Sequence, residues 1–95
     1  MYIPINHFLA QVNKKHATLS ADYPAGQMFM DDVENVSLEM PESEEAELVF
    51  QNRLASISVP VNDIMHLSRM VCQNSVDVEY ELILVDGSVI VVSTF

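Results

Sequence analysis

The chain has 95 residues, 49% hydrophobic and 19% charged, with a formal net charge of −10. That length suits one domain over residues 1–95 and excludes two, and such a chain buries about 60% of its unfolded surface around a single core. A field of this sign repels phosphate, which argues against direct binding to nucleic acid and to an anionic membrane surface and leaves a basic protein surface as the natural complement.

The N-terminal MYIPINHFLAQVNKKHA has no basic start, apolar stretch or small-residue cleavage site, so no signal peptide is expected. No apolar run approaches the ~18 residues of a membrane span. Cys72 is the one cysteine and forms no internal disulfide, so the expected compartment is a reducing cytoplasm.

After an extended YIPI, Asn6 reads as an N-cap. Phe8, Leu9, Val12 and Leu19, with His16 between them, fall on one helical stripe that leaves out Lys14 and Lys15. The spacing predicts an amphipathic helix over residues 6–18, ended before Tyr23-Pro24 because the proline ring disfavours helix at the residue preceding it. Pro24-Ala25-Gly26 signals a turn. Met28 and Met30 around Phe29 read first as core filling and second as an adaptable contact patch.

The period then changes to two. Val36, Leu38 and Met40 alternate with Ser37 and Glu39, predicting a half-buried strand that Pro41 stops. PESEEAE reads as a polar loop or one helical turn. Ala55, Ile57, Val59 and Val61 alternate with Ser56, Ser58 and Pro60, predicting a second strand whose proline end lies at a sheet edge or bulge. VNDIMHLSRMV fits a short helix through Ile64, Leu67 and Val71, with a bent strand as the alternative.

The last segment, VDVEYELILVDGSVIVVSTF, contains two β-rich runs around Asp86-Gly87, the pair favoured in a two-residue hairpin turn. In that register Val85 faces Ser88, Leu84 faces Val89, Leu82 faces Val91 and Val78 faces Phe95. The other face pairs Ile83 with Ile90 and Glu81 with Val92. Both faces near the turn are then apolar and need two covers. The final strand carries no charge, lysine or proline to blunt an edge, so either it lies inside the sheet or its edge meets a partner strand. These features predict homodimerisation through Ile83, Val85, Ile90 and Val92.

Signatures of chemistry are sparse. His7, His16, His66 and Cys72 lack zinc-ligand spacing, and the acidic run lacks a glycine-bearing calcium loop, so no metal or cofactor is expected. Cys72 follows Met70 and Val71 and reads as a buried, inert thiol, and Asp63 with His66 reads as a surface pair. Gly26 and Gly87 are the only glycines, too few for a phosphate cradle. No catalytic residue is assigned, and a non-enzymatic role is expected.

One stretch stands out. DDVENVSLEMPESEEAE, Asp31–Glu47, carries eight of the 14 acidic residues and no lysine or arginine. A solvated face is the ordinary reading of such a run. However, an ordinary surface intersperses both signs, and unpaired carboxylates repel one another in a small domain. Asp31, Asp32, Glu34, Glu39, Glu42, Glu44, Glu45 and Glu47 are therefore the candidate contacts to a basic partner.

By this composition the chain resembles phage-encoded inhibitors of host defence, including anti-CRISPR and anti-restriction proteins, and the immunity proteins that neutralise toxic nucleases. The resemblance implies an inhibitor that mimics nucleic acid on a nucleic-acid-handling protein. Separately, ISVPVNDIMHL followed by the strand–DG–strand unit resembles small SH3-like or Sm-like barrels. The expected fold is α+β: an N-terminal amphipathic helix packed on a mostly antiparallel sheet of about four to five strands, with a C-terminal β-hairpin. The expected function is occlusion of a basic surface, and the alternative is a homo-oligomeric structural or adaptor subunit.

Overall fold

The computed structural model describes residues 4–13, 16–24, 26–71 and 78–94. Lys14, Lys15, Ala25, Cys72 and Phe95, and the expectations resting on them, lie outside the described residues. The elements are α1 (Ile5–Val12), β1 (Ala17–Tyr23), β2 (Gly26–Met30), β3 (Asn35–Glu39), β4 (Glu47–Gln51), β5 (Ser56–Pro60), a 3-10 turn at Val61–Asp63, β6 (Ile64–Val71), β7 (Val78–Leu84) and β8 (Val89–Thr94).

The fold is α+β, with one short helix and antiparallel strands. In place of a single sheet there are two, a five-stranded sheet ordered β2-β1-β8-β7-β6 and a three-stranded sheet ordered β3-β4-β5. No strand pairing joins the two among the described residues. Among the described residues the strands therefore do not close into a single hydrogen-bonded barrel. No helix among the described residues is long and apolar enough to cross a membrane.

The helix is shorter than its spacing predicts. It starts at Ile5, behind an extended Pro4 whose carbonyl accepts the Phe8 N–H at 3.1 Å, so Asn6 lies inside the helix and is not its cap. Phe8 and Val12 are buried one above the other, as residues i and i+4 of a helix must be. The helix ends at Asn13, whose side-chain amide donates to the Val36 carbonyl (2.9 Å) and accepts the Val36 N–H (3.0 Å). It thus occupies backbone groups of β3 as a neighbouring strand would. Leu19 belongs to β1, where Ala17, Leu19 and Ala21 are buried and alternate with more exposed neighbours. His16 is exposed, off any helical stripe.

Two other segments differ from expectation. Residues 64–71 form β6, paired with β7 from Ile64↔Leu84 to Val71↔Val78, with a register shift between Ile64 and His66. The bent-strand alternative is the observed one, because a ladder along β7 satisfies backbone groups that a short isolated helix leaves open. Met40 does not continue the inward row of β3. Its φ of 51° takes it out of the strand, and its side chain is 56% exposed.

β7 and β8 pair around Asp86-Gly87, but the loop has three residues rather than two. Leu84 donates its N–H to the Ser88 carbonyl at 2.9 Å, and the Gly87 N–H reaches the Leu84 carbonyl at 3.1 Å. Gly87 takes φ 90°, the left-handed position that closes a three-residue loop and that side chains disfavour. The extra residue shifts the register by one and turns β8 over. Leu82 faces Ile90, Tyr80 faces Val92 and Val78 faces Thr94, and all six are buried. Ile83, Val89 and Val91 lie on the opposite, partly exposed face. β8 is also inside the sheet, between β1 and β7, and presents no edge.

In this loop the Ser88 hydroxyl, beside the carboxylate though outside hydrogen-bonding geometry, and the Ser88 N–H, at 2.8 Å from Oδ1, hold the Asp86 pKa below its ordinary value. A depressed carboxylate adds stability above its unfolded pKa of about 4 and loses it as pH falls through the lower folded value. Asp86→Asn keeps an acceptor for the Ser88 N–H without the charge. Wild type is expected to be the more stable at pH 7, with the gap in urea midpoint closing from about pH 4 downward. A gap constant down to pH 2 would contradict this account.

One cluster of buried residues draws on α1 and both sheets. Phe8 stands at its centre, edge-on to Tyr80 of β7 (5.1 Å between ring centres) and to Phe50 of β4 (6.3 Å). The helix therefore fills the space between the sheets.

Candidate functional site

β3 divides the acidic run. Asp31, Asp32 and Glu34 precede it, while Glu39 ends it, Glu42, Glu44 and Glu45 lie on the loop into β4, and Glu47 opens β4. At about 3.3 Å per residue the five positions from Glu34 to Glu39 separate the two groups by roughly 16 Å. The run is thus two clusters at opposite ends of the three-stranded sheet.

The far cluster sits on a braced tip. The Ser43 N–H donates to the Met40 carbonyl (2.9 Å) and the Ala46 N–H to the Ser43 carbonyl (3.2 Å), giving two consecutive turns. The Ser43 hydroxyl oxygen accepts the Glu45 N–H at 3.0 Å. Asn62 of the 3-10 turn donates its side-chain amide to the Glu44 carbonyl at 2.8 Å, and the Val61 N–H reaches the Ala46 carbonyl at 2.9 Å. Glu42, Glu44 and Glu45 are exposed on this loop. Glu39 lies directly across from Glu47 in the β3–β4 ladder, a like-charge pairing that costs a strand pair some stability. A concavity of about 460 Å³ opens among Glu39, Glu44, Glu45 and Glu47. No ion pair neutralises this tip among the described residues.

The near cluster borders a groove of about 740 Å³ between β2 and the loop joining β4 to β5. Its apolar surface comes from Met28, Phe29, Leu54 and Ile57. Asp31, Asp32 and Glu34 stand on its margin, where Arg53 reaches Glu34 at 3.5 Å. Leu54, at 95% the most exposed large apolar residue among the described residues, belongs to no periodic run in the sequence. The Asn52 side chain holds it outward by accepting the N–H groups of Leu54 (2.8 Å) and Ala55 (2.9 Å). A leucine inside a four-residue hairpin loop was the available signal. Of the methionine pair flanking Phe29, Met30 is core, whereas Met28 and Phe29 are 47% and 64% exposed.

The hairpin residues separate in the same way. Ile90 and Val92 have no exposed surface and belong to the core, so they are not contacts of a folded protomer, while Val85 is 59% exposed and Ile83 partly so. The cause is the one-residue difference in register. His66, half-buried, lies opposite Ile83 on the outer side of β6, and Asp63 is exposed in the 3-10 turn. Because Ile64–Val71 is strand, Asp63 and His66 do not stand one helical turn apart as the spacing predicts. Among the described residues no three His, Cys, Asp or Glu side chains converge as a metal site.

Compared with protein-family models, with curated proteins and with solved structures, the chain has no significant match to any.

Proposed function

We propose that this chain is a non-enzymatic binding protein that occludes a basic surface of another protein, as an inhibitor or immunity factor of the kind phages deploy against host defences. The observation that carries this reading is the tip at residues 39–47. Its carboxylates project from a loop held by five hydrogen bonds to its own turns and to the 3-10 turn. A braced loop loses little conformational freedom on binding, and the opposed Glu39 and Glu47 gain relief when a cation lies between them. A nucleic-acid-handling protein offers such a surface, and the mechanism is electrostatic steering followed by occlusion in its cytoplasmic setting.

Pull-downs from the source cell at low and high salt are expected to retain a basic protein at low salt only. Exchanging Glu42, Glu44, Glu45 and Glu47 together for glutamine should weaken that complex about tenfold or more at low salt, chiefly through the association rate. Unchanged affinity would sink the mechanism.

A second reading, a homo-oligomeric structural or adaptor subunit, is favoured by the partly exposed Ile83, Val89 and Val91 beside the exposed Val85. Sedimentation of the wild-type chain as a monomer at high micromolar concentration would remove it.

A further inference from the structure

We propose that the groove beside β2 receives an extended segment of a partner protein, rich in alternating apolar and basic side chains, which adds to β2 as an extra strand. The charge complement in this inference rests on the acidic-surface reading above; the strand addition does not.

Among the described residues four strands end the two sheets, and three of them are blunted. β3 has Val36 N–H and C=O taken by the Asn13 amide, and its end carries Glu39. β5 ends in Pro60, and β6 has a register shift after Ile64 and carries Arg69. Proline, charge and irregular register are the devices that keep an edge from pairing. β2, with the sequence GQMFM, has none of these. Its outward backbone groups are a template for another strand.

The side chains around that edge fit such a strand. Met28 pairs across with Ala21, whose side chain is buried, so it stands on the core side of the sheet. Yet Met28 is 47% exposed, because the groove opens above it. Residues of the incoming strand that point inward would meet Met28, Ile57 and the outward-held Leu54. Those pointing the other way would meet Phe29. Asp31 and Asp32 follow directly at the end of β2, both exposed, and a chain of net charge −10 selects lysine or arginine there.

The test uses the full-length chain and a labelled nine-residue peptide alternating lysine and valine, followed by fluorescence anisotropy at low salt. Binding is expected, and the matching glutamate–valine peptide should not bind. Methylating alternate backbone nitrogens of the lysine–valine peptide in the frame that faces β2 should abolish binding, as strand pairing requires those donors. Leu54→Ser, at a site exposed enough not to disturb folding, should weaken binding roughly tenfold. The pair Asp31→Asn and Asp32→Asn should weaken it about fivefold. Glutamine at positions 42, 44, 45 and 47 should leave it within about twofold.

If the methylated peptide binds as well as the parent, or Leu54→Ser is silent, the groove is not the site. Weakening by the four glutamines with no effect at Leu54 would overturn this inference while leaving the acidic-tip reading standing. Peptide binding at the groove, with partner capture unaffected by the four glutamines, would do the reverse.

Discussion

Replacing Ile90 by glutamate is expected to unfold the protein, whereas the same replacement at Val91 is expected to leave it folded. Ile90 has no exposed surface and lies between Ala21 of β1 and Leu82 of β7, which are equally buried. The exchange gives up about 2 kcal/mol of apolar burial and sets an unpaired carboxylate in the core at a further several kcal/mol. A domain of this length is stable by only about 5–14 kcal/mol, so the sum removes most or all of it. Val91 lies on the outer face between Ser20 and Glu81. A glutamate there loses part of a valine's contact and adds a repulsion with Glu81, together about 1 kcal/mol. Circular dichroism through a urea titration reads both. A folded Ile90→Glu beside an unfolded Val91→Glu would mean a two-residue turn and the opposite register. The same pair makes Val91→Glu the proper probe of any contact through the outer face, since it tests association in a folded chain.

Phe8→Ala is expected to lower stability by about 3–5 kcal/mol, the usual range for emptying a phenylalanine site in a core. The ring is fully buried and meets Tyr80 and Phe50 edge-on, at interplanar angles of 77° and 69°. Each such aromatic pair adds about 0.5–1.5 kcal/mol beyond burial. The consequence reaches past local packing because Tyr80 and Phe50 belong to different sheets. Phe8→Leu, which retains much of the volume, should cost less than half as much. An eight-residue helix is too short to persist without such an anchor. Hydrogen exchange in α1 is therefore expected to rise in the alanine variant before the strands open. A loss under 1 kcal/mol would mean that the helix is not what seals the space between the sheets.

The sequence was readable wherever a local pattern had one interpretation. The presence of strands at β3 and β5, the turn at Pro24 and the solvent exposure of most of the acidic run all follow from spacing and composition. β1 was misread because Leu19 lies seven residues after Val12 and so fits a helical stripe as well as a strand with Ala17 and Ala21. β4 was missed because Leu48, Val49 and Phe50 are all buried; a run without alternation, set behind a block of glutamates, has no period to detect. β6 was misread because Ile64, Leu67 and Val71 satisfy helical spacing, while the ladder with β7 that settles the matter lies outside the segment's own pattern.

The hairpin shows where local information stops. Asp86-Gly87 places a reversal but is compatible with two-residue and three-residue loops, since both use a glycine with positive φ. Val89, Ile90, Val91 and Val92 are all apolar, so neither register is penalised by composition. The choice comes from the neighbours: Ala21 and Leu19 on β1, with Phe8 above Tyr80, form the face that must be covered.

By itself, then, the sequence determined an α+β chain, several of its strands and turns, and a strongly anionic surface, because these depend on residues adjacent along the chain. The tertiary structure alone decided that Ile90 and Val92 are core while Val91 is not, and that β2 is left as the unblunted edge beside a groove. Each of those outcomes depends on which distant strands share backbone hydrogen bonds, and pairing between distant strands leaves no period in the sequence.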